Sequence, residues 1–425
     1  MITLLIFFTL LFAGLPIFGA ILVGAIVFMA SSDLAVLYDS IPIQFYGALE
    51  INGLLAIPLF LLVGEIMNKA GLTQRLIAVA QWLVGGFRGG LAYANLVTNA
   101  LAAAILGSAV AQIGVMTKVM LPEMEKRGYD RAFSGAVTVS AGLLGPIIPP
   151  SMLMIIYGIV AVQPIAALFI AGILPGLLII AALALVIFLT GVFGRNGLPP
   201  GTSREAGNSM AILLGGLAPA AIPVIVISGI MAGAMTPTES GAVASIVALA
   251  LGFAYRQLRW RDLGPILHSV ALGTATITGL IAAASVLSWV LAFQGIPDQL
   301  VALMAGIADT PFEFLLLVIA LLLLLGMFLE TMSTLIVVVP LLMPVVAKLG
   351  IDPIHFGVVC TVASVIGLVT PPVGPGLFIA MQADIRMGAL FRATAPFLVA
   401  VIASLVLIAA WPALSTWLPS LTIGR

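Results

Sequence analysis

The segment Leu121 to Ser151 recurs at Met343 to Val373, a fixed offset of 222 residues, and each copy carries two adjacent prolines inside apolar sequence. Pro122, Lys126, Gly128, Asp130, Gly135 and Gly145 fall on Pro344, Lys348, Gly350, Asp352, Gly357 and Gly367. Pro149-Pro150 then falls on Pro371-Pro372, and Ala167 to Phe169 on Ala389 to Phe391, without a gap. From Pro122 to Ala171 there are fifteen identities in fifty positions, where a composition this rich in aliphatic residues gives roughly four or five by chance. Such a chain must build two related half-structures, each interrupted where proline removes a backbone donor.

The surrounding sequence fixes the solvent. With 62% hydrophobic and 8% charged residues and a mean hydropathy of +1.29, a water-soluble globule of 425 residues is excluded. Apolar runs at Ile2 to Phe28, Ile165 to Phe193, Ala211 to Ala232, Pro311 to Leu329 and Phe397 to Trp417 approach the length that crosses a hydrocarbon core. The expectation is an all-α polytopic membrane protein with roughly ten to twelve spans and further segments that enter without crossing. Short segments of alternating polarity, the mark of a membrane β-barrel, are missing. Zero net charge argues against nucleic acid. The single Cys360 forms no internal disulfide and reads as a small buried hydrophobe. The first run lacks a basic leader region and reads as an uncleaved helix.

The few charges give a topology. Lys118, Lys126, Arg127 and Arg131 cluster before the first proline pair, whereas the equivalent loop from Pro340 to Pro353 carries only Lys348. The positive-inside rule puts the first loop in the cytoplasm and lets the second face the other way. Two copies so opposed form an inverted structural repeat, which builds one site at the midplane from both halves. Arg256, Arg259 and Arg261 mark a second cytoplasmic loop. The halves are residues 1–193 and 211–425, joined by the polar linker 194–210.

Chemistry is expected where backbone is left unpaired. Pro149-Pro150 and Pro371-Pro372, the latter followed by Val373-Gly374, must break their helices near mid-membrane. The freed carbonyls and helix N-termini are tolerated only in protein or on a ligand, and suit sodium and a substrate carboxylate respectively. A structural kink is the competing reading. Upstream, a re-entrant hairpin at about 95–118 turns at Gly107-Ser108, and a second at about 315–340 turns at Glu330 to Thr334. The repeat places Ser108 over Glu330. Small-residue packing competes with a ligand role at the first tip. Glu330 stands deep in apolar sequence and reads as part of an ion or substrate pathway, or as a hairpin cap. Glu65, followed by Asn68 and Lys69, reads as interfacial, and Glu239 as the first turn of a helix capped by Thr236 or Thr238. His268 and His355 have no metal-ligand spacing and read as loop or interfacial residues. No metal cluster, serine-base pair or paired carboxylates can be assembled, so an embedded enzyme is not expected.

Taken together, GSAVA (Gly107 to Ala111), LPEMEKRGYD (Leu121 to Asp130), GPIIPPSMLMIIYG (Gly145 to Gly158), LFIAGILPG (Leu168 to Gly176), MTPTESGAVA (Met235 to Ala244) and GLVTPPVGPGLF (Gly367 to Phe378) resemble the large membrane subunit of tripartite ATP-independent periplasmic (TRAP) transporters. The resemblance covers essentially the whole chain. It implies two helix hairpins and a scaffold, an elevator motion driven by sodium, and no cofactor other than the coupling ions. It also implies a bacterial inner-membrane location, a small membrane subunit, here on a separate chain, and a periplasmic binding protein that delivers an organic acid. Carried across, it places sodium near Gly107, Ser108, Pro149, Pro150, Thr331, Thr334, Thr370, Pro371, Pro372 and Gly374, and the substrate against Ser108, Ser151 and Glu330. Hydroxyls and amides such as Asn99 and Gln112 lean toward sialic acid over a C4-dicarboxylate. A stand-alone ion-coupled organic-anion transporter of related elevator fold, without a binding protein, is the alternative.

Overall fold

The computed structural model describes residues 6–422 except 8, 11–12, 33, 85, 87–88, 194–197, 200–208, 305–306 and 372–373. Regular structure among them is helical throughout. The first half runs α1 (Ile17–Ser31), α2 (Ile41–Gly47), α3 (Ala56–Lys69), α4 (Leu72–Val84), α5 (Gly90–Leu106), α6 (Ala109–Lys126), α7 (Arg131–Gly142), α8 (Met152–Val160), α9 (Ile165–Ala171) and α10 (Ile173–Phe193). The second continues with α11 (Ser209–Met231), α12 (Pro237–Ala254), α13 (Leu263–Phe293), α14 (Ile296–Met304), α15 (Pro311–Gly326), α16 (Thr331–Lys348), α17 (Pro353–Gly367), α18 (Pro375–Met381), α19 (Met387–Ala410) and α20 (Ala413–Thr422). Most of the expected linker 194–210 lies outside the described residues.

The sequence repeat is written in helix starts. Helices α6 and α16 begin and end at positions 222 apart, and so do the first residues of α7 and α17 and of α9 and α19. Local chemistry explains the match. Asp130 accepts the backbone N–H of Phe133 at 2.9 Å, and Asp352 those of Ile354 and His355 at 2.8 and 3.2 Å; each satisfies donors that a helix start leaves orphaned. Gly128 and Gly350 precede these caps with φ of +84° and +64°, a left-handed turn that glycine enters without strain.

Packing follows the same symmetry. Helix α6 packs on α18 of the other half while α16 packs on α8, and α7 meets α19 while α17 meets α9. Repeat-equivalent helices thus exchange partners across the two halves. Tyr157 of α8 fills this seam: its hydroxyl donates to the Pro353 carbonyl at 2.6 Å. A side chain at Gly357 would meet its ring at 2.4 Å.

Seven stretches among the described residues are long and apolar enough to cross a membrane, and three shorter apolar helices accompany them. Proline and glycine cut several of the apolar runs. The first run is broken at Gly14, φ +87°, and Pro16: residues 6, 7, 9 and 10 are helical before the break, and α1 starts after it. The run Phe397 to Trp417 is not one span: α19 stops at Ala410, before Pro412, and α20 is separate. The hairpin helices are longer than expected, 17 and 18 residues in the first and 16 and 18 in the second. Lys69 and Asp262 pair at 3.8 Å, and the Arg75 guanidinium lies 3.9 Å over the Tyr255 ring, so basic residues of α3, α4 and the α12–α13 loop share one end of the molecule.

Candidate functional site

The first hairpin tip rests on the first helix break. Gly107 ends α5 at φ +58°, and Ser108 caps α6, its hydroxyl accepting the Ala111 N–H at 3.5 Å. A Cβ on Gly107 would lie 3.7 Å from the Met152 nitrogen and 3.9 Å from the Pro150 carbonyl oxygen. After α7, residues 143–150 turn irregularly through buried Pro149 and Pro150, joined by a cis peptide. Ser151 is fully buried and its hydroxyl is in use, accepting the Met154 N–H at 3.3 Å and donating to the Pro146 carbonyl.

A buried amide string ties this hairpin together. Asn95 donates to the Thr138 hydroxyl at 2.7 Å, Asn99 to the Asn95 side-chain oxygen at 2.8 Å, and Gln112 to the Asn99 side-chain oxygen at 2.9 Å. It joins α5, α6 and α7. Asn99 and Gln112 thus serve the hairpin first. The Gln112 Oε1 is left buried without a partner, and it lies 2.7 Å from where a Cβ on Gly145 would stand, with the Ser108 carbonyl oxygen at 3.3 Å. An unpartnered buried acceptor beside a helix break is a cation-type environment, since leaving it bare is costly.

The second hairpin repeats the plan with other residues. Glu330 caps α16, accepting the N–H groups of Met332 and Ser333 at 3.0 and 3.2 Å and the Thr331 hydroxyl at 3.2 Å. Its side chain is exposed, not enclosed as its apolar flanks suggest, and the capping reading is the one its geometry displays. Thr331 and Thr334 are buried, and Thr334 donates to the Glu330 carbonyl at 3.1 Å. Just before this tip, at the end of α15, Gly326 touches Gly367 of α17 backbone to backbone. A Cβ on Gly367 would lie 2.8 Å from the Gly326 Cα and 3.1 Å from the carbonyl oxygens of Leu322 and Leu323. Thr370 donates to Ile366 at 2.8 Å; Gly374, at φ +50°, opens α18 with the Thr370 carbonyl 3.1 Å from its Cβ position. Pro371 lies in the turn between them; Pro372 and Val373 fall outside the described residues.

A cavity of about 190 Å³ opens where α3, the first tip and the first break meet. Glu65, Asn68, Gly107, Ser108, Pro150 and Met332 contribute to its wall, so both hairpin tips reach it. Ser151, Glu330, Thr331, Thr334, Thr370, Pro371 and Gly374 do not line it. Glu65, read as interfacial from sequence, lies four residues before the end of α3 and lines this cavity. Asn68-Lys69 mark the helix end, as the structure has it, while a carboxylate in an apolar helix is also a signal of a functional position. The Gly326–Gly367 contact was also missed, although Gly367 repeats Gly145. His355 is buried rather than loop-like, because Asp352 starts α17 just before it and Ser415 of α20 covers it, with its Oγ 3.1 Å from Nδ1. Glu239 and Thr236 form the expected reciprocal cap.

Residues 4–414 match the model of the family described as tripartite ATP-independent periplasmic transporter, DctM component. The chain belongs to this family. Among its relatives, the sialic acid TRAP transporter large permease protein SiaM of Vibrio cholerae is 36% identical over 98% of this chain and 97% of its own length. The C4-dicarboxylate TRAP transporter large permease protein DctM of Pseudomonas aeruginosa is 35% identical over 90% and 89%. The sialic acid TRAP transporter permease protein SiaT of Haemophilus influenzae is 32% identical over 99% of this chain and 68% of its own length. The crystal structure of the YdaH transporter of Alcanivorax borkumensis superposes with a TM-score of 0.66 over 89% of each chain at 14% identity, which shows a shared fold. This DctM-family chain is thus a membrane-embedded TRAP large subunit, and its named relatives are transporter permeases, not enzymes.

Proposed function

We propose that this subunit moves an organic acid across the bacterial inner membrane in symport with sodium, fed by a periplasmic binding protein and held by a small membrane subunit. The observation that carries the reading is the pair of capped hairpin tips set on broken helices and packed reciprocally across the repeat. The concentration of basic residues in the first of the two equivalent loops supports an inverted pair, the design in which one unit moves past the other. The hairpins and breaks form the transport unit, and α3, with α12 and α13 packed on it, belongs to the scaffold of an elevator.

Sodium has two environments that suit a hard cation, since both offer neutral oxygens and no fixed positive charge. The first is Gly107, Ser108, Pro149 and Pro150, with the unpartnered Gln112 Oε1 and Gly145 beside them. The second is the Gly326–Gly367 contact with Thr370, Pro371 and Gly374, to which the sequence repeat adds Pro372, outside the described residues; buried Thr331 and Thr334 fix the tip next to it. The substrate carboxylate goes to the start of α6 at Ser108, where free N–H groups and the helix dipole favour an anion. Ser151 holds the break in shape through its two hydrogen bonds, and Glu330 orders the opposing tip. Occupied sodium sites order both tips and offset the substrate charge, and the linkage between the two ligands is reciprocal. Sialic acid is the favoured cargo and a C4-dicarboxylate the next. Uptake by liposomes containing both membrane subunits, with the binding protein outside, tests this: uptake should require a sodium gradient.

A further inference from the structure

We propose that Glu65 selects the class of acid carried: it accepts hydrogen-bond donors of the cargo and rejects a second carboxylate, so the cargo is a hydroxylated monocarboxylate. The inference rests on the reading of the Ser108 cavity as the cargo site.

Glu65 sits on α3, between α12 and α13, and one carboxylate oxygen is fixed by the Ser269 hydroxyl of α13 at 2.8 Å. The other oxygen has no hydrogen-bond or ion-pair partner among the described residues. The side chain is half-buried and lines the cavity whose far wall is Gly107, Ser108 and Pro150. Among the described residues of that wall Glu65 is the one ionisable group, and no lysine or arginine offsets it.

The consequence is electrostatic. A carboxylate anchored at Ser108 leaves the rest of the molecule facing an oriented anion with a lone pair to give. Hydroxyl, amide or ammonium groups satisfy that acceptor, whereas a second carboxylate meets a like charge in a partly enclosed space. Selectivity built on a repulsive element of this kind discriminates between cargo classes without extra contacts to the favoured one. Ser269 keeps the repulsive group in place, so it acts as a positioning residue.

The experiment measures sodium-driven uptake in liposomes containing both membrane subunits, with binding proteins specific for a sialic acid and for succinate supplied in turn. Expected for the wild-type chain is uptake of the hydroxylated monocarboxylate with little of the dicarboxylate. Glu65→Gln should shift the dicarboxylate-to-monocarboxylate ratio upward by roughly tenfold or more, as removal of a like charge a few ångströms away implies. Ser269→Ala, which frees the carboxylate without deleting it, should shift the ratio in the same direction by less, and it keeps the test informative if Glu65→Gln does not assemble. A wild-type chain that prefers succinate, or variants that transport with an unchanged ratio, overturns the role of Glu65 alone. No sodium-dependent uptake of either acid overturns the transport reading and this inference with it.

Discussion

Gly367→Ala probes the second sodium environment at its tightest point. The added methyl would stand 2.8 Å from the Gly326 Cα and 3.1 Å from the Leu322 and Leu323 carbonyl oxygens. All three are backbone atoms of α15, so no side chain can swing away and the helix itself must shift. Overpacking of a close contact of this kind costs about 1–3 kcal/mol. If sodium binds only when the two helices touch, that energy appears as a loss of sodium affinity of roughly five- to 150-fold. The assay is the sodium concentration giving half-maximal uptake, read beside the thermal unfolding temperature of the purified subunits. Gly388→Ala is the control, since nothing lies within 4 Å of its Cβ position, and it should change neither quantity. A Gly367→Ala protein with lowered unfolding temperature but wild-type sodium dependence would refute the assignment of sodium to this contact. Unchanged values of both would refute the packing argument itself.

Other substitutions follow from the same geometry. At φ +58°, Gly107→Ala should destabilise by about 1–2 kcal/mol, and Gly107→Asn by less; equal losses in thermal unfolding would contradict a left-handed tip. Glu330→Ala removes the acceptor for two N–H groups of α16 and should lower stability by about 1 kcal/mol, with Glu330→Asp retaining most of it, which a denaturation series can check. Asn99→Leu removes the donor to the buried Asn95 side-chain oxygen, while Gln112 keeps its bond to the Asn99 carbonyl, and should lower stability by about 1–3 kcal/mol; an unaltered melting curve would show that the amide string does not hold the hairpin. Tyr157→Phe deletes the 2.6 Å bond to Pro353 and should destabilise by about 1 kcal/mol while leaving selectivity between acids unchanged in competition uptake.

What could be read from sequence was whatever a few neighbouring residues decide. Asp130, Asp352 and Thr236 cap helices through contacts two to four residues away, and the tips at Gly107-Ser108 and Glu330 follow from an abrupt loss of apolar character. The repeat carried these features from one half to the other. Misjudged features depend on partners distant in sequence. Glu330 looked enclosed because its flanks are apolar, yet among the described residues no element covers it. His355 looked free because Ser415, sixty residues on, was not in view. Ser151 looked available to a ligand until the Pro146 carbonyl claimed its hydroxyl. Glu65 gained weight only when α13 and the first tip were placed on either side of it.

The most direct test of the central claim is initial uptake of a labelled organic acid into liposomes containing both membrane subunits, with the binding protein outside and the external cation as the only variable. An inward sodium gradient should drive accumulation above equilibrium, and collapsing that gradient should abolish it. Uptake that proceeds equally when potassium replaces sodium would contradict the account.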